Sequence, residues 1–323
     1  MTSTPHRRSP TASTLATVVL LAVTAAWGST FFLLKDVLER IPVSDFLAVR
    51  FALAAAAVWL LFPRCLARLT PRERLHGVLL GVVYGAAQIM QTTGLQTTAA
   101  SVSGFITGMC VVFTPLLAAL LTRIRIGRTV WTAVAVATLG LAVLSIRGPV
   151  IGADGVGPGV GAGEALTLVS ALLYGAHILG LGLWSTGRSA VGLTVVQLLV
   201  ITLVCALGAV PGGLVLPRQG SDWGALVFMA LVAGAAALLA QTWAQAHLAA
   251  TRAAIIMTME PVWAAAFAVL LGGERLGPRT AVGGSLVLGA MYLAETGPRQ
   301  AAGQDAARCI VDEPGRVTRV GPA

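Results

Sequence analysis

Residues 241–293 read QTWAQAHLAATRAAIIMTMEPVWAAAFAVLLGGERLGPRTAVGGSLVLGAMYL. The stretch holds two apolar runs joined by a short charged turn, and Glu260 lies inside the first run with Pro261 directly after it. A weaker copy, GLQTTAASVSGFITGMCVVFTPLLAALLTRIRIGRTVWTAVAVATLGLAVL, occupies residues 94–144. Because an apolar run of about 20 residues can cross a bilayer as a helix, the stretch predicts a membrane-spanning hairpin that recurs in each half of the chain.

The composition is typical of a membrane protein. Of the 323 residues, 56% are hydrophobic and 11% are charged, whereas a soluble domain carries roughly 25% charged residues. The net charge of +9 comes from basic residues that lie between the apolar runs, which is the pattern of cytoplasmic loops and not of a nucleic-acid groove. The four cysteines lack metal-ligand spacing, so we expect no disulfide framework and no metal site.

The apolar runs divide the chain into ten predicted transmembrane helices. They lie near residues 15–34, 44–62, 76–95, 100–122, 129–146, 164–184, 190–210, 223–246, 253–273 and 280–295. These helices form two groups of five, at residues 15–146 and 164–296, joined by a Gly-rich external linker at 147–163. Residues 1–14 and 297–323 are polar or rich in Pro and Gly and are predicted to be disordered and cytoplasmic.

The two groups of five helices resemble each other weakly. Trp27 and Arg50 align with Tyr174 and Gln197 at one constant offset. Since five is odd, the second group enters the membrane from the opposite side. We therefore predict an all-α polytopic membrane protein built as two inverted five-helix repeats, with a site near mid-membrane between them. Most of the 22 Arg and Lys residues fall on the side that also carries both termini, which predicts cytoplasmic termini.

Several short motifs, in this order and spacing, resemble those of EamA-type members of the drug/metabolite transporter superfamily. The motifs are WGSTF at 27–31, FLAVRF at 46–51, FITG at 105–108, Thr114-Pro115, Thr251-Arg252, Glu260-Pro261 and GERL at 273–276. The resemblance implies a ten-helix secondary carrier without a bound cofactor, in a family of which many members export amino acids, other metabolites or toxic compounds. Two features depart from strict symmetry: Gln197 stands where a second arginine would match Arg50, and TRIR at 122–125 replaces the Gly-Glu turn.

Glu260 is the main candidate for chemistry. It lies about seven residues into its predicted helix, roughly 11 Å along the axis, where an ionised carboxylate costs several kcal/mol unless it is paired or wet. Pro261 removes a backbone donor and bends the helix, which frees carbonyl groups for a substrate. One interpretation is a proton-accepting or cation-attracting group in a transport pathway, and the other is a structural carboxylate bonded within the bundle.

Arg50 is the second charged candidate, about six residues into its predicted helix. Its long side chain could snorkel to the membrane surface. It could also pair with an acid or bind a substrate carboxylate through two parallel hydrogen bonds. The sequence leaves these alternatives open.

Polar side chains recur at helical spacing in several predicted helices, so they face the bundle interior and not lipid. We predict that the longer ones and Trp27 line a cavity: Tyr84, Gln88, Gln91, Tyr174, His177, Gln241 and Gln245. His177 is either a proton relay or a hydrogen-bonded core residue. The shorter stripe of Ser103, Thr107, Cys110 and Thr114 is expected to form hydrogen bonds between helices.

Small residues, prolines and two further acids complete the pattern. Gly81 and Gly85 recur every fourth residue, which favours close helix packing. Pro115 and Pro261 are predicted to act as hinges. Glu274 is assigned to a turn, and Glu164 to the first turn of a helix, where an acid suits the helix dipole.

The sequence favours a secondary active transporter that exports a small metabolite, an amino acid or related compound, by alternating access. The expected partners are that small-molecule substrate and the lipid bilayer, with proton coupling left open and no nucleic acid. The abundance of Ala, Gly and Arg indicates a GC-rich bacterial genome, hence the bacterial cytoplasmic membrane. P-loop and hydrolase motifs do not occur, which argues against a pump or a membrane enzyme. An intramembrane enzyme acting on a lipid-linked substrate and a non-transporting sensor with a carrier fold are the alternatives.

Overall fold

The computed structural model describes residues 10–122, 127–145, 161–184, 190–209, 213–248 and 256–296, and all regular structure in these ranges is helical. The helices are α1 Pro10–Leu38, α2 Val43–Leu61, α3 Pro71–Leu95, α4 Ala100–Gly108, α5 Cys110–Thr122, α6 Arg128–Ser145, α7 Ala162–Trp184, α8 Ala190–Ala209, α9 Gly220–Ala230, α10 Ala237–His247, α11 Met259–Leu270 and α12 Pro278–Thr296. Within the described residues, 7 helices are long and apolar enough to cross a membrane, and shorter apolar helices accompany them. The predicted all-α polytopic fold of about ten transmembrane helices is confirmed.

Most helix bounds lie within a few residues of the predicted ones. The main difference is that α1 begins at Pro10, so the N-terminal segment predicted to be disordered is helical from that residue onward. The start of α7 at Ala162 likewise takes the last residues of the predicted linker. The remaining predictions for residues 1–9, 147–160 and 297–323 lie outside the described residues.

Two predicted helices are interrupted at related places. The helix predicted at 100–122 is divided into α4 and α5 at Met109, where φ is −60° and ψ is −12°. The helix predicted at 253–273 has the same local geometry at Thr258, with φ −63° and ψ −12°, directly before α11. Pro261 then falls in the first turn of α11, where a helix has no use for the missing N–H.

A third predicted helix, at 223–246, contains a wider turn. Residues Leu231–Ala236 form a π-helical turn between α9 and α10. A π turn shifts the backbone hydrogen bonds from four to five residues, so nearby carbonyl groups leave the usual register. Gly234 lies in this turn, and a Cβ there would stand 3.0 Å from the carbonyl oxygen of Met229.

The helices of the first half pack mainly against helices of the second half. The α3 helix packs along both α7 and α8, α2 packs on α8, α6 on α12, and α11 lies between α1 and α4. A Cβ at Gly81 would lie 2.7 Å from Cβ of Val200, and one at Gly85 would lie 3.2 Å from Cγ1 of Val204. These two glycines therefore let α3 approach α8 closely.

The buried apolar side chains form two large clusters with a shared border. One cluster contains residues of α2, α8 and the end of α1, including Phe46, Phe51 and Leu198. The other contains residues of α4 to α7 and α12, including Ile106. Tyr84 of α3 packs against both clusters. The polar side chains considered next lie where these clusters meet.

The α3–α8 contact gives a stability prediction. We expect Gly81→Ala to lower the free energy of unfolding by about 1–3 kcal/mol, because overpacking a close-packed contact forces neighbouring backbones apart. Gly289→Ala is the matched control, since a Cβ at Gly289 meets nothing within 4 Å. Thermal unfolding of the detergent-solubilised variants measures the difference. Equal stability of the two variants would contradict the contact.

Candidate functional site

A cavity of about 60 Å³ lies in the middle of the bundle, with room for several water molecules at roughly 10–15 Å³ each. Nine of the ten predicted site residues line it: Trp27, Arg50, Tyr84, Gln88, Gln91, Tyr174, His177, Gln241 and Glu260. The tenth, Gln245, belongs to α10, but its side chain lies outside the described part of the chain. The cavity therefore brings together side chains from both halves of the sequence.

Glu260 enters the cavity from the start of α11. It is the second residue of that helix, directly after the interruption at Thr258. Its neighbour Pro261 is buried, and a Cβ at Gly108 of α4 would lie 3.0 Å from the proline ring. Among the described residues no ion pair involves Glu260. A structural carboxylate would need hydrogen-bond donors within the bundle, and the described contacts include none to Glu260.

Arg50 is buried in the protein and does not reach the membrane surface. Its side chain is 3% exposed, and its Nε donates to the carbonyl oxygen of Met229 at 3.2 Å. The guanidinium lies over the ring of Phe51, 5.0 Å from the centroid. Snorkelling is thus contradicted, and no described acid forms an ion pair with Arg50.

The π turn supplies backbone acceptors to two cavity residues. Met229 comes just before this turn and accepts from Arg50. Ala233 lies within it and accepts from Nε1 of Trp27 at 2.9 Å. Carbonyl groups displaced from the helical ladder need donors when they are buried. Arg50 and Trp27 meet that need, and the same bonds fix both side chains at the cavity wall.

A chain of side-chain hydrogen bonds crosses the cavity from α7 to α4. The hydroxyl of Tyr174 donates to Oε1 of Gln91 at 2.9 Å. Nε2 of Gln91 donates to Oγ1 of Thr107 at 3.0 Å. Thr107 thus forms the expected bond between helices, and it also lines the cavity, as does Cys110. The sequence pattern did not predict that second role for the shorter polar stripe.

His177 is a hydrogen-bonded core residue that also reaches the cavity. Its Nε2 lies 2.7 Å from Oε1 of Gln197. Because Nε2 of Gln197 donates to the carbonyl oxygen of Leu193 at 3.2 Å, its Oε1 accepts, and this assigns the ring proton of neutral His177 to Nε2. Gln197, which replaces the second arginine of a symmetric pair, therefore serves to orient His177.

Aromatic rings close one side of the cavity. The ring of Tyr84 lies edge-on to Tyr174, with centroids 5.3 Å apart, and 4.8 Å from the His177 ring. Nε2 of Gln88 donates to the Tyr84 hydroxyl at 3.3 Å. Edge-to-face pairs of this kind are favourable and hold both rings in defined orientations.

Several cavity residues were not predicted from the sequence. They are Thr30, Phe31, Leu34, Ile178 and Met257, besides the two members of the shorter stripe. Phe31 is the last residue of the WGSTF motif and lies four residues after Trp27. Helical spacing therefore places both residues on the same face of the helix. Leu34, Ile178 and Met257 are apolar residues in apolar helices, and their spacing does not distinguish a cavity wall from a lipid-facing surface.

The hydrogen-bond chain gives a test with a matched control. Tyr174→Phe leaves Oε1 of the half-buried Gln91 without its donor, which should lower the free energy of unfolding by about 0.5–1.5 kcal/mol. Tyr84→Phe removes only the longer bond from Gln88 and should cost less. Thermal unfolding in detergent compares the two variants. A loss for Tyr84→Phe as large as that for Tyr174→Phe would overturn the assignment.

Comparison with known proteins agrees with this architecture. The EamA-like transporter family matches the chain twice, at residues 14–146 and 161–296. A relative from Archaeoglobus fulgidus, named "Uncharacterized transporter", is 28% identical over 274 residues, or 85% of this chain and 83% of that protein. A crystal structure with 19% sequence identity has a TM-score of 0.60 over 87% of this chain and 96% of its own, which shows the fold alone. The chain belongs to the EamA-like transporter family and is a multi-pass membrane transporter.

Proposed function

We propose that the protein is a secondary active transporter that exports a small metabolite, an amino acid or a related compound, by alternating access. The substrate would occupy the central cavity. Export is proposed from the resemblance to a family in which many members export metabolites. The protein would lie in the bacterial cytoplasmic membrane with both termini in the cytoplasm, as the distribution of Arg and Lys favours.

The cavity carries this proposal, because it exposes two opposite charges that do not neutralise each other. Arg50 of α2 and Glu260 of α11 both line it, and no described ion pair joins them. Charges at membrane depth usually mark a substrate or ion pathway. A substrate with a carboxylate and an ammonium group would meet both side chains, while Phe31 and Tyr84 offer apolar surface to the rest of the molecule.

The pattern of helix contacts supports a two-fold relation between the halves. Under this relation α1 corresponds to α7, α2 to α8 and α6 to α12. The contact of α1 with α11 then corresponds to the contact of α7 with α4 and α5. The interruptions at Met109 and Thr258 also correspond. We therefore propose two inverted five-helix repeats, which rock about the cavity to expose it to either side in turn.

Glu260 is the proposed coupling group. A carboxylate that faces a wet cavity can be ionised in one access state and protonated in another, which would link substrate movement to a proton gradient. His177 is less suited to this role, because Gln197 already holds its Nε2. We therefore propose that the coupling proton binds Glu260 on α11, close to the helix interruption at Thr258.

The direct experiment measures flux in proteoliposomes that contain the purified protein. Vesicles are loaded in turn with amino acids of acidic, basic, aliphatic and aromatic type, and efflux is compared with that from protein-free vesicles. We expect saturable, protein-dependent efflux of at least one class. The absence of flux for every class, with ligand binding retained, would favour a sensor over a transporter.

Glu260→Gln separates coupling from binding. We expect the variant to lose the acceleration that a pH gradient gives to transport, because glutamine cannot carry a proton. It should keep substrate exchange at equal pH on both sides within about tenfold, since the shape and hydrogen-bonding capacity of the side chain are retained. An unchanged response to the pH gradient would remove Glu260 from the coupling mechanism.

Arg50→Lys tests the contact with a substrate carboxylate. The variant keeps the positive charge but loses the planar fork, so the apparent affinity should fall about tenfold or more if two parallel bonds hold the carboxylate. The measurement is the concentration dependence of exchange, with an analogue that lacks the carboxylate as the control. Equal losses for substrate and analogue would show that Arg50 acts through its bond to Met229.

A further inference from the structure

Four contacts join the two halves of the chain at one end of the bundle, named here the α1–α2 end. The parallel packing of α1 and α11 defines it, because Phe32 near the end of α1 lies 6.2 Å from Phe267 near the end of α11. The turns α1–α2, α3–α4 and α11–α12 therefore lie at this end. Three of the four contacts involve a carboxylate. All four join a residue of the first half to a residue of the second half.

The first contact is an ion pair with two hydrogen bonds. Nη2 of Arg40 donates to Oδ1 of Asp222 at 2.6 Å, and Nε donates to Oδ2 at 3.1 Å. Asp222 lies in the first turn of α9, and its side chain is 3% exposed, against 36% for Arg40. The hydrogen bond to Asp222 raises the pKa of Arg40 above its usual value.

The second contact lies beside the first. Oδ2 of Asp45, on α2, accepts from the backbone N–H of Val215 at 2.9 Å. Val215 belongs to the segment that leads into α9. The side chain of Asp45 is buried, so this bond is shielded from water while the halves are in contact.

In the third contact Glu274 lies in the α11–α12 turn, as predicted, and it also reaches the start of α4. Its carboxylate accepts from the N–H of Ala100 at 2.7 Å, and from the N–H and hydroxyl of Ser101 at 3.2 and 2.7 Å. Ala100 is the first residue of α4, whose own N-cap forms no side-chain bond. Glu274 therefore satisfies the start of α4 from the α11–α12 turn, where Gly273 has a φ of +68° that favours glycine.

The fourth contact is a close backbone approach without charge. Gly94 at the end of α3 and Gly163 at the start of α7 lie so close that a Cβ on Gly163 would stand 2.6 Å from the carbonyl oxygen of Gly94. The two halves also meet at the opposite end. There Gly192 lies against Leu69, and His76 stacks on Trp184 at 4.5 Å.

The sequence repeat reproduces one of these three carboxylates in the other half. At the offsets that align the halves, the counterpart of Asp45 is Gly192 and that of Glu274 is Ile124. Asp222 is the third residue of α9 and corresponds to Glu73, the third residue of α3. The contacts of Asp45 and Glu274 therefore do not follow from the repeated backbone.

We propose that Asp45, Asp222 and Glu274 form a latch that holds the two halves together at the α1–α2 end, and that the cavity opens to that side when these contacts break. This inference rests on the proposed alternating access. The latch fixes the balance between the two access states, because weakening it lowers the free energy needed to separate the halves at this end alone.

The test uses Cys110, which lines the cavity, as the reporter, with serine at the other three cysteines of the full chain. A small membrane-impermeant methanethiosulfonate is applied to right-side-out and inside-out vesicles. In a separate variant, Glu39→Cys, modification of the exposed thiol shows in which vesicles the α1–α2 end faces the reagent. We expect Arg40→Gln and Glu274→Gln each to speed modification of Cys110 from that side by roughly two- to fivefold, in the range of partly exposed ion pairs.

Glu39→Gln is the matched control, because it removes a charge next to Arg40 but breaks no described contact. Its modification rate should equal that of the parent. The reversed pair Arg40→Asp with Asp222→Arg should restore the parent rate if the ion pair is what holds the halves. Unchanged rates in Arg40→Gln and Glu274→Gln, or equal acceleration from both sides, would overturn the latch. These readouts need no transport, so failure to find a substrate would not affect them.

Discussion

The close fit of α11 between α1 and α4 is the constraint on which the site depends. A Cβ at Gly28 of α1 would lie 2.6 Å from Cβ of Trp263 and 2.8 Å from the backbone nitrogen of Ala264, and a Cβ at Gly104 of α4 would lie 2.6 Å from Cβ of Ala264. Helices approach this closely only where side chains are absent. Glycines on both sides therefore fix the position of α11 and, with it, the place where Glu260 enters the cavity.

The membrane adds a second constraint, because buried polar groups must find partners within the protein. Gln91, Tyr174 and His177 already form hydrogen bonds with one another or with nearby groups. Gln241 differs: its Oε1 is buried without a hydrogen-bond partner among the described residues. Arg50 has five N–H donors. In the proposed mechanism, substrate recognition would therefore fall chiefly on Glu260, Gln241 and the remaining donors of Arg50.

The sequence predicted the features that depend on the length of apolar segments and on the polarity of side chains. Long apolar runs located the helices, and long polar side chains such as Tyr84 and Gln91 were placed in the interior because lipid excludes them. A bend was expected from Pro261, but the positions of the interruptions at Met109 and Thr258 were not predicted, since Met and Thr themselves have no helix-breaking character. The same holds for Leu231–Ala236, where alanine, valine and leucine would equally form an ordinary helix.

Contacts between distant residues were the hardest to predict. Gln197 was recognised only as a departure from symmetry, because its bond to His177 joins α8 to α7, and both helices pack on α3. Glu274 was assigned to a turn, since nothing in the turn itself shows that α4 begins beside it. In both cases the residue type was noted and its partner was not, which is the expected limit when a hydrogen bond joins separate helices.

A repeated backbone with unrepeated charges explains how such a transporter could be directional. If the halves are related as proposed, the backbone alone would give similar barriers to opening toward either side. Cys110 occupies the position that corresponds to Glu260, and Gln197 the position that corresponds to Arg50, so the charges that recognise a substrate are not duplicated. Asp45 and Glu274 at the α1–α2 end are not duplicated either. Differences in the two barriers, and hence in the resting state, would then arise from the side chains in which the halves differ, these among them.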